Sequence, residues 1–329
     1  MSASNPLRVG LIGVGRHGLR YAQHLGRELP EARLVAVARR DLALGVPDSM
    51  PPEAARYAEY TRLIADPSVE VVIAVVPPAL HPSLAQLALQ AGKPLLLEKP
   101  LAVDAAAVRA IVATASAAPV PLMVAQTLRY NRATQVFSDL LPGLGPCRRL
   151  VMQLTVPPRP RPAGNPGFGG RGALLDLGVH LADLLHWWIG SRGLTVGCTI
   201  DARTPDGVDA AATVTAVSAD GLQAELHVGW EGKDRAGEAR AEGPRGWATV
   251  NWRRHCVQSG GGAVPSVTES VPEGPTIRML LTAFLDAVGH RTPPPLRLAD
   301  AAAGVQFVDA CYEAARTGTT VPVACDPAG

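Results

Sequence analysis

Short apolar runs, almost without interruption, punctuate the first third of the chain: RVGLIGVG (8–15), ARLVAVA (32–38), VEVVIAVV (69–76), PLLLEKP (94–100) and VPLMVAQ (120–126), with helical periodicity between them. Strands that are apolar on both faces belong to a sheet covered by helices on both sides, so this stretch predicts a doubly wound parallel sheet. The pattern changes after about residue 124. CRRLVMQLTV (147–156), GLTVGCTIDA (193–202), DAAATVTAVS (209–218) and LQAELHVGW (222–230) follow one another with little helix between. Leu222, Ala224, Leu226 and Val228 alternate with Gln223, Glu225 and His227, as a strand with one covered face requires. One helix interrupts this part, over about 173–189, and two more close the chain, at about 277–288 and 299–315. The expectation is an α/β protein of two domains, a doubly wound parallel domain over 1–123 and an α+β domain with a large, open, mostly antiparallel sheet over 124–329. The Pro- and Gly-rich VPPRPRPAGNPGFGGRG (156–172) reads as a long loop entering the central helix, and SGGGAVP (259–265) as a flexible connection.

Composition narrows the class. The 329 residues allow two cores, and 18% charged residues with a formal charge of +2 give no field suited to nucleic acid or an anionic membrane. The apolar runs fall far short of the roughly 20 residues a membrane helix needs, and MSASNPLRVGLIGVG lacks a signal-peptide pattern, so a cytoplasmic protein is expected. Cys147, Cys198, Cys256, Cys311 and Cys325 are odd in number and scattered, which argues against a disulfide frame and a structural zinc.

Three segments carry candidate chemistry. Gly13, Gly15 and Gly18 form G-x-G-x-x-G between the first strand and a helical pattern, the arrangement that brings backbone N–H groups and a helix N-terminus to a pyrophosphate. Arg16 and His17 lie inside that loop, where His17 would cover the phosphates. The second strand ends in Arg39 and Arg40, where an acidic residue usually serves the ribose of NAD. The cations suit a 2′-phosphate and hence NADP, with NAD kept open if Asp41 serves the ribose instead.

Only three of the 31 lysines and arginines are lysine: Lys93, Lys99 and Lys233. Lys99 closes a strand at the carboxyl edge of the first sheet, the ligand-binding edge of such folds, where an ammonium would stabilise charge developing on a substrate oxygen. On the central helix, Asp176, His180 and Asp183 fall at i, i+4 and i+7, within roughly 60° of one another, a polar stripe on an otherwise apolar helix. Two readings of that stripe are open: Asp176 orients His180 for proton exchange with a substrate hydroxyl, or the three form a satisfied buried network. A lone histidine among them gives no case for a metal.

GLIGVGRHG, LVAVARRD, HPSLAQLALQAGKPLLLEKPLA, VAQTLRYNRA, GALLDLGVHLADLLHWWIG and the closing AFLDAV and PPLRLADAAAGVQFVDACYEAARTGTTVPV stand in the order found in the glucose–fructose oxidoreductase, inositol dehydrogenase and MocA family, which the chain resembles nearly end to end. The resemblance implies an N-terminal Rossmann domain and a catalytic set of Lys99, Asp176 and His180. It implies cofactor contacts from Pro77, His81 and Glu98 as well, with Pro78 standing where the family commonly has asparagine. Arg129, Tyr130 and Asp183 fall where related enzymes line the substrate pocket, and a cis Lys99–Pro100 peptide is implied. The implied activity is hydride transfer between NADP(H) and a secondary alcohol or ketone of a sugar, cyclitol or related polyol, by a homodimer or homotetramer. Redox-assisted glycoside cleavage and a cofactor-sensing regulatory module are the alternatives on the same fold.

Overall fold

The computed structural model describes residues 5–44, 50–190, 193–262 and 267–324. Cys325 and residues 263–265 of the glycine-rich connection lie outside them. Contacts gather the chain into two compact units. The first consists of Met1–Ala102, Ala106–Thr127 and Pro275–Leu298, the second of Val103–Ala105, Leu128–Gly274 and Ala299–Gly329.

In the first unit, strands β1 (Leu7–Ile12), β2 (Ala32–Ala38), β3 (Ala55–Tyr57), β4 (Val71–Ala74), β5 (Leu95–Glu98) and β6 (Leu122–Ala125) form one sheet in the order β3-β2-β1-β4-β5-β6. Every pairing is parallel. Helices α1 (Gly18–Arg27), α2 (Tyr60–Ala65), α3 (His81–Gln90) and α4 (Ala105–Ser116) lie between successive strands. β4, β5 and β6 are buried at every position, as their unbroken apolar sequences demand. Because all strands run the same way, the residues after Ile12, Ala38, Ala74, Glu98 and Ala125 share one edge, and the order reverses between β1 and β4 at that edge.

The second unit contains α5 (Arg132–Leu144), β7 (Arg149–Val156), α6 (Ala173–Ile189), β8 (Leu194–Arg203), β9 (Asp209–Ser218), β10 (Gln223–Trp230), β11 (Ala236–Gly243), β12 (Gly246–Asn251), β13 (Cys256–Gly260) and β14 (Val267–Ser270). After α7 (Thr276–His290), which belongs to the first unit, the chain returns with α8 (Leu298–Thr317) and β15 (Val321–Pro322). The nine strands run β14-β13-β12-β11-β7-β10-β9-β8-β15. All pairs are antiparallel except β7 with β10. α6 packs on β10, β9 and β7, while α5 packs on β12 and β13. Thr195, Thr215, Val217 and Glu225, paired across β8, β9 and β10, stay exposed.

Three expectations are adjusted. A single cut at residues 123 and 124 gives way to an interleaved division, because the apolar face of α7 (Ile277, Leu280, Leu281, Phe284) packs within the first unit, where α7 meets α1 and Thr282 Oγ1 donates to Glu31 Oε1 at 3.1 Å. Helix α5 forms where little helix was expected. Asn131 caps it, accepting the Thr134 N–H at 3.2 Å, and Pro142 falls in its last turn, where the helix gives up one hydrogen bond just before it ends at Gly145. Ser259 and Gly260, read as the start of a flexible connection, belong instead to β13, which pairs with β14.

α6 is buried on nearly all sides, so its first-turn N–H groups need partners from elsewhere in the fold. Asp209, at the start of β9, supplies them: its carboxylate accepts Gly172 N–H at 2.8 Å, Leu174 N–H at 2.9 Å and the Tyr312 hydroxyl at 2.9 Å. A negative charge there also complements the helix dipole. Asp209→Ala removes this remote cap and strands buried donors, so urea unfolding is expected to show a loss of about 2–4 kcal/mol; a loss below about 0.5 kcal/mol would mean that solvent already serves those N–H groups.

Candidate active site

The glycine loop leaves β1 at the shared edge of the first sheet. Gly13 has φ +88°, and a Cβ on it would meet Val75 O at 2.2 Å. A Cβ on Gly18 would meet Gly13 O at 1.9 Å. These two glycines are required by the chain's own packing. Gly15 is different: apart from its chain neighbours, no atom of the described residues lies within 4 Å of where its Cβ would sit, so the chain's own packing does not require a glycine there. Arg16, His17 and Arg40 are exposed and Arg39 is half-buried. Asp41, the alternative ribose partner, accepts the Ala43 N–H at 3.0 Å in a turn of its own. The glycine loop after β1 and the two arginines after β2 thus share one edge of the sheet.

Across the sheet, Lys99 is half-buried after β5, and its bond to Pro100 is cis. Glu98 is buried, and both its oxygens are engaged. Oε1 accepts from His17 Nε2–H at 2.8 Å and Tyr21 O–H at 2.5 Å, and Oε2 accepts the Lys99 peptide N–H at 3.0 Å. His17 thus turns one ring nitrogen toward Glu98. His81 has no exposed surface: its Nδ1 lies 3.0 Å from Leu101 O and its Nε2 3.2 Å from Val76 O, and burial pushes its pKa down. It is a pin between two loops, with Pro77 exposed beside it. Gln126, directly after β6, is buried, and no donor among the described residues reaches its Oε1, an orphan acceptor at the same edge.

In the second unit, the stripe on α6 divides. Between Ala173 and Leu185 only Asp176 and His180 are partly open; every other position is buried. Trp230, at the end of β10, donates its indole N–H to Asp176 Oδ2 at 3.2 Å. Arg161, from the long loop, lies over the Trp230 ring at 5.4 Å and pairs bidentately with Asp206 at 2.8 and 2.9 Å. Asp206 also accepts the Gly164 N–H, so the loop is anchored beside the indole that holds Asp176. A carboxylate held in this way one turn before an imidazole can orient it and favour its protonated form.

Asp183 faces elsewhere. Arg129 grips both of its oxygens, at 2.7 and 2.8 Å, reaches Asp300 at 3.3 Å and lies over Trp187 at 5.4 Å. Asp183 is 1% exposed, and burial pushes its carboxyl up to about 6 against the pull of the guanidinium. Tyr130 beside Arg129 is half-buried, its hydroxyl pKa raised by the same desolvation. Arg129 and Asp183 together form an internal clamp. Trp230, Arg161, Asp206, Asp209 and Asp300 were not marked by the sequence reading, since none belongs to a local motif.

Residues 7–126 match the model of the oxidoreductase family with an NAD-binding Rossmann fold, and residues 144–264 match that of the GFO/IDH/MocA C-terminal domain. The chain is 28% identical over 229 residues to dTDP-3,4-didehydro-2,6-dideoxy-alpha-D-glucose 3-reductase of Saccharopolyspora spinosa, covering 68% of this chain and 69% of that protein. It is 32% identical over 215 residues to human trans-1,2-dihydrobenzene-1,2-diol dehydrogenase, covering 63% and 64%. The matched stretch thus spans about two thirds of these curated relatives. Among solved structures, aldose-aldose oxidoreductase from Caulobacter crescentus superposes with a TM-score of 0.85 at 21% identity, over 96% of this chain and 99% of that one. GenD2 from gentamicin A biosynthesis, in complex with NAD, gives 0.86 at 24% identity, over 99% and 98%.

The clamp carries a pH signature. The folded-state pKa of Asp183 lies above its unfolded value, so the folded state holds the extra proton and the group's contribution falls as pH rises through about 6. Arg129→Leu removes the opposing cation and pushes that pKa higher still. Urea unfolding should show a loss of about 3–5 kcal/mol near pH 7.5, where a buried carboxylate is left unpaired, and a clearly smaller loss near pH 5, where protonation neutralises it. Equal losses at both would contradict the assignment.

Proposed function

Because the chain belongs to the Gfo/Idh/MocA family of oxidoreductases, we propose that it is a nicotinamide-dependent dehydrogenase or reductase acting on a secondary alcohol or ketone of a sugar, cyclitol or related polyol, with NADP(H) as its nucleotide. The relatives that reduce a dTDP-linked keto-sugar and oxidise a diol support that substrate class. The observation that carries the reading is the selective opening of α6, a helix buried along its first three turns except at Asp176 and His180. A buried helix has no packing reason to keep an acid and an imidazole one turn apart and open, whereas proton exchange with a hydroxyl needs both.

When bound, the nicotinamide gives or takes hydride at its C4. Gly13, Gly15 and Gly18 would receive the pyrophosphate at the N-terminus of α1, and Arg39 and Arg40 the 2′-phosphate, as side chains after β2 do in such sheets. In the first unit, Lys99 donates to the substrate oxygen and offsets negative charge growing there. In the second, His180 exchanges the hydroxyl proton, Asp176 orients the imidazole, and Trp230 holds Asp176 in place. Lysine suits its position because a compact ammonium fits one oxygen, where a guanidinium fork calls for two. The same reading makes the chain a cytoplasmic homo-oligomer, which the exposed strand face of the second unit favours.

Nucleotide-stripped protein is expected to bind NADPH at least tenfold more tightly than NADH in calorimetric titration, with Arg39→Asp reversing the order; tighter NADH binding would overturn the NADP assignment and leave the rest standing. In a keto-sugar screen followed by NADPH consumption, Lys99→Ala should lower turnover by about 10²–10³ and His180→Ala by about 10²–10⁴. Unchanged turnover in either would refute the mechanism.

A further inference from the structure

Glu98 is charged, buried, and placed between the glycine loop and Lys99. An isolated carboxylate there would be costly, yet each of its oxygens has a donor. Burial pushes its pKa up, but His17 and Tyr21 more than offset this and hold the carboxyl below its usual range. Tyr21 is wholly buried, and burial together with Glu98 raises its hydroxyl pKa well above the ordinary value, so it keeps the proton it donates. The His17 and Tyr21 rings meet edge to face with centroids 5.6 Å apart, so the two donors to Oε1 are packed as one unit. The other oxygen receives the peptide N–H of Lys99 itself.

The donors come from separate parts of the chain. His17 lies within the glycine loop, its side chain 47% exposed; Tyr21 lies on the buried face of α1; Lys99 leaves the end of β5. We infer that His17 and Tyr21 are positioning residues for Lys99: they fix the Glu98 carboxylate in the orientation that receives the Lys99 peptide N–H, and so link the conformation of the phosphate loop to the direction in which the lysine side chain departs. The inference rests on the nucleotide reading of the loop and on Lys99 as a substrate contact. It differs from a phosphate-covering role for His17, in which loss of the ring would weaken nucleotide binding. Here binding survives and the lysine loses its response to it. Loop movement on binding reaches Glu98 through the His17 hydrogen bond and reaches the Lys99 backbone through the next. Tyr21 holds the shared oxygen from beneath.

The rarity of lysine makes this measurable without a substrate. Reductive methylation of the full-length protein with 13C-formaldehyde labels Lys93, Lys99, Lys233 and the N-terminal amine, keeps the charges, and yields a few resolvable methyl signals, with Lys99 identified by Lys99→Arg. In the unmodified sequence, NADPH or NADH should shift the Lys99 signal. His17→Ala and Tyr21→Phe should bind the same nucleotide within about threefold by calorimetry, yet show less than half of that shift. His17→Gln, which retains an N–H at the same reach without a ring, should restore it. A full shift in His17→Ala would overturn the inference, as would a loss of binding, which would make His17 a phosphate contact. If the Lys99 signal does not move in the unmodified sequence while nucleotide binds, the placement of Lys99 at the nicotinamide end fails, and the inference with it. Tyr21→Phe keeps the buried ring and His17 is on the surface, so both variants retain the fold against which binding is read.

Discussion

A helix that is apolar nearly all round and lies inside a protein depends on neighbouring elements for the polar groups it carries, and among the described residues most of those on α6 are met in this way, the Trp188 indole N–H excepted. Its first-turn amides are met by Asp209 from β9, Asp176 by Trp230 from β10, and Asp183 by Arg129 from the turn after β6. His186, near its end, donates back to Ala182 O within the helix. Each provision fixes a neighbouring element in turn, because a buried donor or carboxylate without its partner costs more than the hydrogen bond itself returns. The sheet beneath, the long loop and α8 are therefore arranged around what α6 needs. What remains open on its first three turns is the pair Asp176 and His180.

Much of this could be read from the chain. The span 173–189 coincides with α6, because apolar residues on every side announce a buried helix and Gly172 and Gly190 bound it. The glycine loop, the parallel strands and the cis bond after Lys99 came from local patterns and from resemblance. What escaped is what depends on partners distant in sequence. Asp176, His180 and Asp183 share a helical face by spacing, but spacing does not say that an arginine 54 positions earlier claims Asp183. Trp230 and Asp209 sit at strand ends with no motif around them. α5 ends in Pro142 and Gly143, poor helix formers that blur its pattern, and β13 and β14 are short polar sequences whose order comes from pairing in the sheet. His81, a cofactor contact by resemblance, is held between Leu101 O and Val76 O, which spacing alone did not show.

The scarcity of lysine gains a second meaning in the second unit. Four guanidinium groups lie over aromatic rings there: Arg129 on Trp187, Arg161 on Trp230, Arg171 on Tyr312 and Arg240 on Trp247. A planar cation can stack and grip a carboxylate at once, as Arg129 and Arg161 do, and an ammonium cannot. With only 4% aromatic residues, the chain uses three of its five tryptophans in this way. Arginine is here a packing residue as much as a charge. Lys93 shows the contrast: nearly buried, it spends its ammonium on the Asp66 carbonyl at 2.6 Å.

The interleaved division of the chain sets a timetable for biosynthesis. The first unit has all six of its strands once Thr127 has been added, but α7, which completes its surface against α1, begins only after Pro275. At ribosomal speeds the intervening residues take roughly 8–30 s to make. Through that interval the nascent nucleotide-binding sheet exists without the helix that covers α1, while the second unit is being threaded out between its two halves. Completion of the first unit thus waits until most of the second has been made, so a ribosome that stalls within the second unit leaves both unfinished.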